Sequence, residues 1–215
     1  MPIIGNIMFI KKLLIIGTGN QVLDIIQYCK KNNIELNIIA GIRQKSSNLL
    51  EKKVYEKIKL IKFKQIEYVS QLKYSKIYYK FIKGEFDYIL SIGSPFIFNK
   101  KIISIYKNRL INSHSSPLPQ YKGGGGLTWR YLNQDTRGTI LYHYVNKKID
   151  EGLIIYKHNF KFPKNKKMID WVKIQLKQEK KGINNILQIL NKKNSIKSRR
   201  HPKNLPTYFP RINTD

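Results

Sequence analysis

A chain of 215 residues, 41% hydrophobic and 12% aromatic, can bury one sizeable core, so one domain with at most a short appendage is expected. No run of about 18 uncharged apolar residues occurs, which excludes an obvious membrane span, and a lone cysteine excludes an internal disulfide. Forty-one Lys and Arg against thirteen Asp and Glu give a net charge of +28, which fits either a polyanion partner or a composition biased toward Lys, Ile, Asn and Tyr.

The start, Met1 to Ile10, is apolar but has no basic first segment and no small-residue cleavage site, so it reads as a leader into the first strand, with Met8 as an alternative start. Residues 12–17 carry Leu-Leu-Ile-Ile-Gly after a basic start and predict a buried parallel strand ending in a tight turn. Val22, Leu23, Ile25, Ile26 and Cys29 fall at helical spacing, so residues 21–31 predict a helix with Cys29 as a buried thiol in a reducing compartment. Residues 36–40 predict a second buried strand, completing a βαβ unit. Segment 43–84 is rich in Lys and Tyr, with mixed signals for short strands and helices. Further strands are expected at 88–92, 109–112, 138–145 and 153–162, and a short helix at 100–106. Residues 168–190 place Ile169, Val172, Leu176, Ile183, Ile186, Leu187 and Leu190 on one face of a long amphipathic helix, with a break expected near Gly182. From Asn191 the chain turns polar and basic with three prolines and reads as an extended arm. The boundaries are 1–190 for a catalytic domain and 191–215 for the arm. The fold class is α/β, a doubly wound and mostly parallel sheet, with ligands at the carboxyl ends of its strands.

The chemistry concentrates between Leu110 and Gly152. Asn112 and His114 are two apart, so on a strand they point the same way and can face one pocket. An imidazole beside an amide suits the oxyanion that forms when an amine attacks a carbonyl. A carboxylate arriving from Asp150 can orient that imidazole or a neighbouring water. Gly17-Thr18-Gly19-Asn20 opens a helix and offers amides to a phosphate, yet it lacks the third glycine of a dinucleotide fingerprint and reads equally as a plain turn. Four consecutive glycines, Gly123 to Gly126, cost conformational entropy and suggest close backbone approach or a mobile lid. Trp129 reads as core and Arg130 as solvent-facing. His143 reads as structural, and His158 and His201 as surface or strand-end residues.

The order Asn112-x-His114, then Ser116-x-Leu118-Pro119-x-Tyr121-Lys122-Gly123, then His143 seven residues before Asp150-x-Gly152, resembles the formyltransferases that use 10-formyltetrahydrofolate. The likeness runs from about Lys12 to the C-terminus. It implies direct formyl transfer through a tetrahedral intermediate, with no metal. By that resemblance Asn112 donates to the formyl oxygen, His114 stabilises the oxyanion or takes the amine proton, and Asp150 orients the imidazole or a shuttling water. Gly93, Pro95, Phe96, Ile97, Phe98 and Ile149 are implied to line the folate site. Tyr121, Lys122, Gly123, Gly124 and Trp129 are implied to contact the acceptor. Leu141 stands where many members have Thr, which removes one supporting hydrogen bond.

Ser-Ser-Pro-Leu-Pro-Gln-Tyr-Lys-Gly and the end Thr207-Tyr208-Phe209-Pro210-Arg211-Ile212-Asn213-Thr214 are most similar to the sugar N-formyltransferases. The implied acceptor is a nucleotide-linked amino sugar, in a cytoplasmic enzyme of lipopolysaccharide or O-antigen biosynthesis, and a homodimer stays open. Glycinamide ribonucleotide and methionyl-tRNA remain as rival acceptors, although the chain is too short for the C-terminal barrel of the tRNA enzymes. A basic nucleic-acid-binding module on an inactive transferase fold is the reading from another class. The lysines are spread along the whole chain and few aromatics alternate with them in a groove-like pattern, so nucleic acid is not the expected partner.

Overall fold

A computed structural model of the protein describes residues 10–46, 48–192, 196–203 and 206–210. All but Ile10 of the leader assigned to Met1–Ile10, the alternative start at Met8, and Arg211 to Thr214 lie outside the described residues.

Among the described residues, seven strands form one sheet in the order β3-β2-β1-β4-β5-β6-β7. They are β1 (Lys12–Gly17), β2 (Glu35–Gly41), β3 (Ile66–Val69), β4 (Tyr88–Ile92), β5 (Leu110–His114), β6 (Arg137–Tyr144) and β7 (Ile154–Lys161). The first five pair in parallel, and β6 and β7 close the edge antiparallel. Chain order runs outward from β1 to β3 and then returns to β4 on the other side of β1, so the sheet reverses direction between β1 and β4. In such sheets ligands bind at the carboxyl ends beside that reversal.

Alternate residues of β1 supply two cores. Leu13 and Ile15 pack with α1 (Gln21–Lys31) and α6 (Met168–Asn191), through Val22, Ile25, Ile183 and Leu187. Leu14 and Ile16 pack on the other face with Phe81 of α3 (Tyr78–Ile82) and Ile102 of α4 (Lys100–Ile105). Both faces are dry, which is why the strand reads as an unbroken apolar run. Cys29 is buried in the first core, and burial pushes its thiol up to about 12.

Three expectations change in detail. Segment 43–84 contains a regular twelve-residue helix, α2 (Leu49–Leu60), capped by the Asn48 side chain accepting from the Glu51 N–H. Only Val54 and Ile58 of it are buried, a pair four apart that gives too thin a stripe to stand out among lysines. Helix α6 is not broken at Gly182. A Cβ there would sit 2.7 Å from Ile140, so the glycine lets the helix lie close on β6 rather than ending it. Finally, β5 runs on through His114, which puts Asn112 and His114 on one strand.

Among the described residues no helix is long and apolar enough to cross a membrane.

Candidate active site

The carboxyl end of β5 presents Asn112 and His114 beside the β6–β7 hairpin, whose turn carries Asp150. Asp150 adopts φ +55°, a left-handed conformation that Asp tolerates better than most residues. Its Oδ2 accepts the Gly123 N–H at 2.8 Å and lies 3.7 Å from His114 Nδ1. Its Oδ1 accepts from Asn112 Nδ2 at 3.3 Å and lies 3.5 Å from His143 Nε2. Asn112 Nδ2 also reaches His143 Nε2 at 3.2 Å. One carboxylate therefore sits between two imidazoles and an amide, and all but Asn112 are buried.

The backbone fixes both tautomers. His114 Nε2 is 2.7 Å from the Tyr121 carbonyl, and His143 Nδ1 is 2.9 Å from the Tyr144 carbonyl. A carbonyl only accepts, so those nitrogens carry the hydrogens. When neutral, each ring turns its bare nitrogen toward Asp150. Burial pushes the His114 pKa down; Asp150 partly opposes this, while His143 adds to it. Burial alone would raise Asp150, but the favourable interactions with His143 and His114 whenever those rings carry a proton, together with the Gly123 N–H, outweigh it and hold the carboxyl at about 2. Burial thus favours the neutral form of His114, while the Asp150 carboxyl stays ionised at neutral pH.

A cavity of about 400 Å³ opens over this cluster. One wall is Gly93, Ser94, Phe96, Ile97 and Phe98, following β4, and another is Val145 to Ile149 of the hairpin. Gly123, Gly124 and Tyr208 line it as well. Of the residues expected on the folate side, Pro95 is outside this lining and packs instead beside Gly41. Tyr121, Lys122 and Trp129, expected on the acceptor side, are also outside it. Tyr121 is buried with its hydroxyl donating to Asp135, Lys122 pairs with Glu151, and Trp129 donates to the Pro210 carbonyl.

Other residues are placed differently from expectation. His143, read from the sequence as structural, is a member of the Asp150 cluster, and its position seven before Asp150 was the available signal. His201 donates from Nε2 to the Gly152 carbonyl at 2.8 Å and packs its ring 6.2 Å from that of His143, so it backs the cluster. His158 lies within β7 and bonds Gln178 of α6. Arg130 of α5 (Gly126–Leu132) is fully buried, not solvent-facing, because three backbone carbonyls and Gln175 surround its guanidinium. Gln21, at the head of α1, bonds Ser113 and accepts the Tyr142 hydroxyl at 2.7 Å, tying the first turn to β5.

Gly123 has φ +87°, and a Cβ there would meet the Tyr208 ring at 2.6 Å and the Phe209 carbonyl at 2.7 Å. Gly123→Ala is expected to cost about 1–2 kcal/mol from the left-handed backbone alone, plus the displaced ring, read as a lower Tm. An unchanged Tm would show that the loop rearranges freely.

Residues 11–200 match the family described as Formyl transferase. The chain belongs to the formyl transferase family. A curated relative, the bifunctional polymyxin resistance protein ArnA of Wigglesworthia glossinidia brevipalpis, is 28% identical over 147 residues, 68% of this chain and 20% of that protein. The chain therefore spans about a fifth of that relative's length. Two solved formyl transferases share the fold. WlaRD, a sugar 3N-formyl transferase crystallised with dTDP and 5-N-formyl-THF, has a TM-score of 0.72 at 23% identity, covering 96% of this chain and 72% of that one. The phosphoribosylglycinamide formyltransferase of Bacillus halodurans has a TM-score of 0.67 at 18% identity, covering 84% of this chain and 95% of that one. Among the described residues, no group of three His, Cys, Asp or Glu is arranged to hold a metal ion.

Proposed function

We propose that the protein transfers a formyl group from N10-formyltetrahydrofolate to the amine of a nucleotide-linked amino sugar. The observation that carries this is the Asn112–His114–Asp150–His143 cluster at the floor of a cavity that also presents apolar side chains. Phe96, Ile97, Phe98, Val145 and Ile149 offer faces to a flat pterin, and the backbone at 93–94 and 146–149 offers hydrogen bonds to its edge. Bound there, the folate supplies an activated formyl carbonyl.

The chain's own residues handle the proton and the charge. Neutral His114 takes the proton of the attacking amine on Nδ1, where Asp150 Oδ2 is placed to compensate the new charge, and returns it to N10 as the bond between the formyl carbon and N10 breaks. The Tyr121 carbonyl keeps the ring from turning. Asn112 holds Asp150 and His143 through long bonds of 3.3 and 3.2 Å; releasing one of them frees an N–H for the formyl oxygen. His143 is a natural partner in that exchange, because its Nε2 accepts from Asn112 only while neutral.

The sugar acceptor rests on the fold shared with WlaRD over nearly the whole chain and on the Tyr-Phe-Pro segment. A second reading, glycinamide ribonucleotide as acceptor, is favoured by one fact: the shared fold spans 95% of the Bacillus halodurans enzyme. The deciding experiment offers dTDP-, UDP- and GDP-linked amino sugars, glycinamide ribonucleotide and Met-tRNA to the protein with N10-formyltetrahydrofolate, and reads formylated products by mass. A formylated sugar nucleotide supports the proposal; transfer only to one of the other two acceptors rejects it.

The base assignment predicts a pH behaviour. His114 sits below its ordinary 6.5, so it should remain neutral as pH falls past that value, while Asp150 stays ionised. In an NMR titration the His114 ring signal, identified by its loss in His114→Asn, should titrate below pH 6.5. Titration at or above 6.5 would contradict a base held neutral by burial.

A further inference from the structure

The segment 206–210 is sewn onto the loop that carries Gly123. Thr207 N–H donates to the Pro119 carbonyl at 3.1 Å, Lys122 N–H to the Thr207 carbonyl at 2.9 Å, and Phe209 N–H to the Lys122 carbonyl at 2.9 Å. Phe209 stacks on Tyr121 at 4.9 Å between centroids and touches Trp129 at 5.3 Å. Both neighbours of Tyr208 are thus fixed by hydrogen bonds. In extended chain successive side chains leave on opposite faces. Phe209 enters the aromatic cluster, and Tyr208 turns the other way, to the cavity it lines. Its ring stays 60% exposed.

The position of that ring decides what it can touch. It lies against Gly123, whose N–H holds Asp150 Oδ2. An amine that gives its proton to His114 arrives beside this same carboxylate. Whatever ring bears the amine must then pass over Gly123 and meet Tyr208. The apolar side chains of the same cavity, Phe96, Ile97, Phe98, Val145 and Ile149, stand on other segments and are taken by the folate in the reading above, which leaves Tyr208 to the acceptor.

We propose that Tyr208 is a specificity-determining residue, packing its aromatic face on the C–H face of the sugar ring that carries the reacting amine. This rests on the amino-sugar reading above and adds to it a residue on a segment remote in sequence from the catalytic motif. Pinned backbone on both sides keeps the entropy lost on binding small, since little remains to be ordered. No clash accompanies truncation, because the ring is exposed.

The test compares the wild type with Tyr208→Ala and Tyr208→Phe on the sugar nucleotide identified by the panel. KM is measured for acceptor and folate separately, and Tm is measured as a folding control. Losing about 1.4 kcal/mol of ring contact corresponds to a tenfold change, so Tyr208→Ala is expected to raise the acceptor KM about tenfold at constant folate KM and Tm. Tyr208→Phe, which keeps the face, is expected to behave as wild type. An unchanged acceptor KM in Tyr208→Ala, a rise in the folate KM instead, or an equal loss in Tyr208→Phe would overturn the inference while leaving the amino-sugar reading intact. A wild type that formylates no sugar nucleotide but does formylate glycinamide ribonucleotide or Met-tRNA would overturn both.

Discussion

His114→Asn is expected to lower kcat by about 10²–10⁴-fold, the range for loss of a positioned general base, with folate affinity little changed. His114 is the only member of the cluster whose bare nitrogen faces an ionised carboxylate with no intervening donor; Asn112 already bridges His143 and Asp150. An asparagine amide in its place can hydrogen-bond but cannot take a proton near neutral pH. His114 lies at the cavity floor, and the apolar side chains Phe96, Ile97 and Phe98 that would take the folate stand on another segment, so a folate analogue titrated by fluorescence should bind the variant as it binds wild type. Turnover within about tenfold of wild type would remove His114 from the proton path. Lost folate binding would show that the ring shapes the cavity instead.

The first βαβ unit was legible because buried parallel strands and a helix with a full apolar stripe leave unmistakable patterns. Residues 13–16 and the Val22–Cys29 spacing needed no tertiary information. The Asn112–His114 pair was legible for the same reason, since two residues apart on a strand always share a face. What was not legible depended on contacts far apart in sequence. His201 joins His143 only because the chain pairs Arg199 with Ile154. Tyr208 reaches the cavity only because residues 119–122 offer backbone groups to 207 and 209. Arg130 looked like an ordinary charge on a short helix; only the closing of the 115–126 loop around it explains its burial. Helix α2 was hidden by its thin stripe, two buried positions in twelve residues.

Arg130 carries the largest expected effect on stability. Its Nε donates to the Gly126 carbonyl at 3.0 Å, Nη1 to the Arg137 carbonyl at 2.8 Å, and Nη2 to the Ser115 carbonyl at 2.9 Å and Gln175 Oε1 at 3.1 Å. Its guanidinium also lies 5.1 Å over the Phe162 ring. Burial lowers its pKa to about 10, which still leaves it charged at neutral pH. One side chain thus fastens the residue after His114, the start of α5, the start of β6 and the middle of α6. Arg130→Met keeps the volume but deprives three carbonyls and an amide of their donor. It also takes a nearby cation from Glu179, whose own pKa burial already raises. Breaking a buried charged network of this kind costs about 3–5 kcal/mol, and for a domain of this size each kcal/mol shifts Tm by about 2–4 °C. A fall in Tm of roughly 6–20 °C is therefore expected by calorimetry. Arg130→Lys should recover little of it, because an ammonium cannot reproduce a planar fork serving four acceptors. A Tm within about 2 °C of wild type would mean that the loop from Ser115 to Gly126 is held by the 206–210 segment and the glycine contacts alone, and that the guanidinium merely fills space.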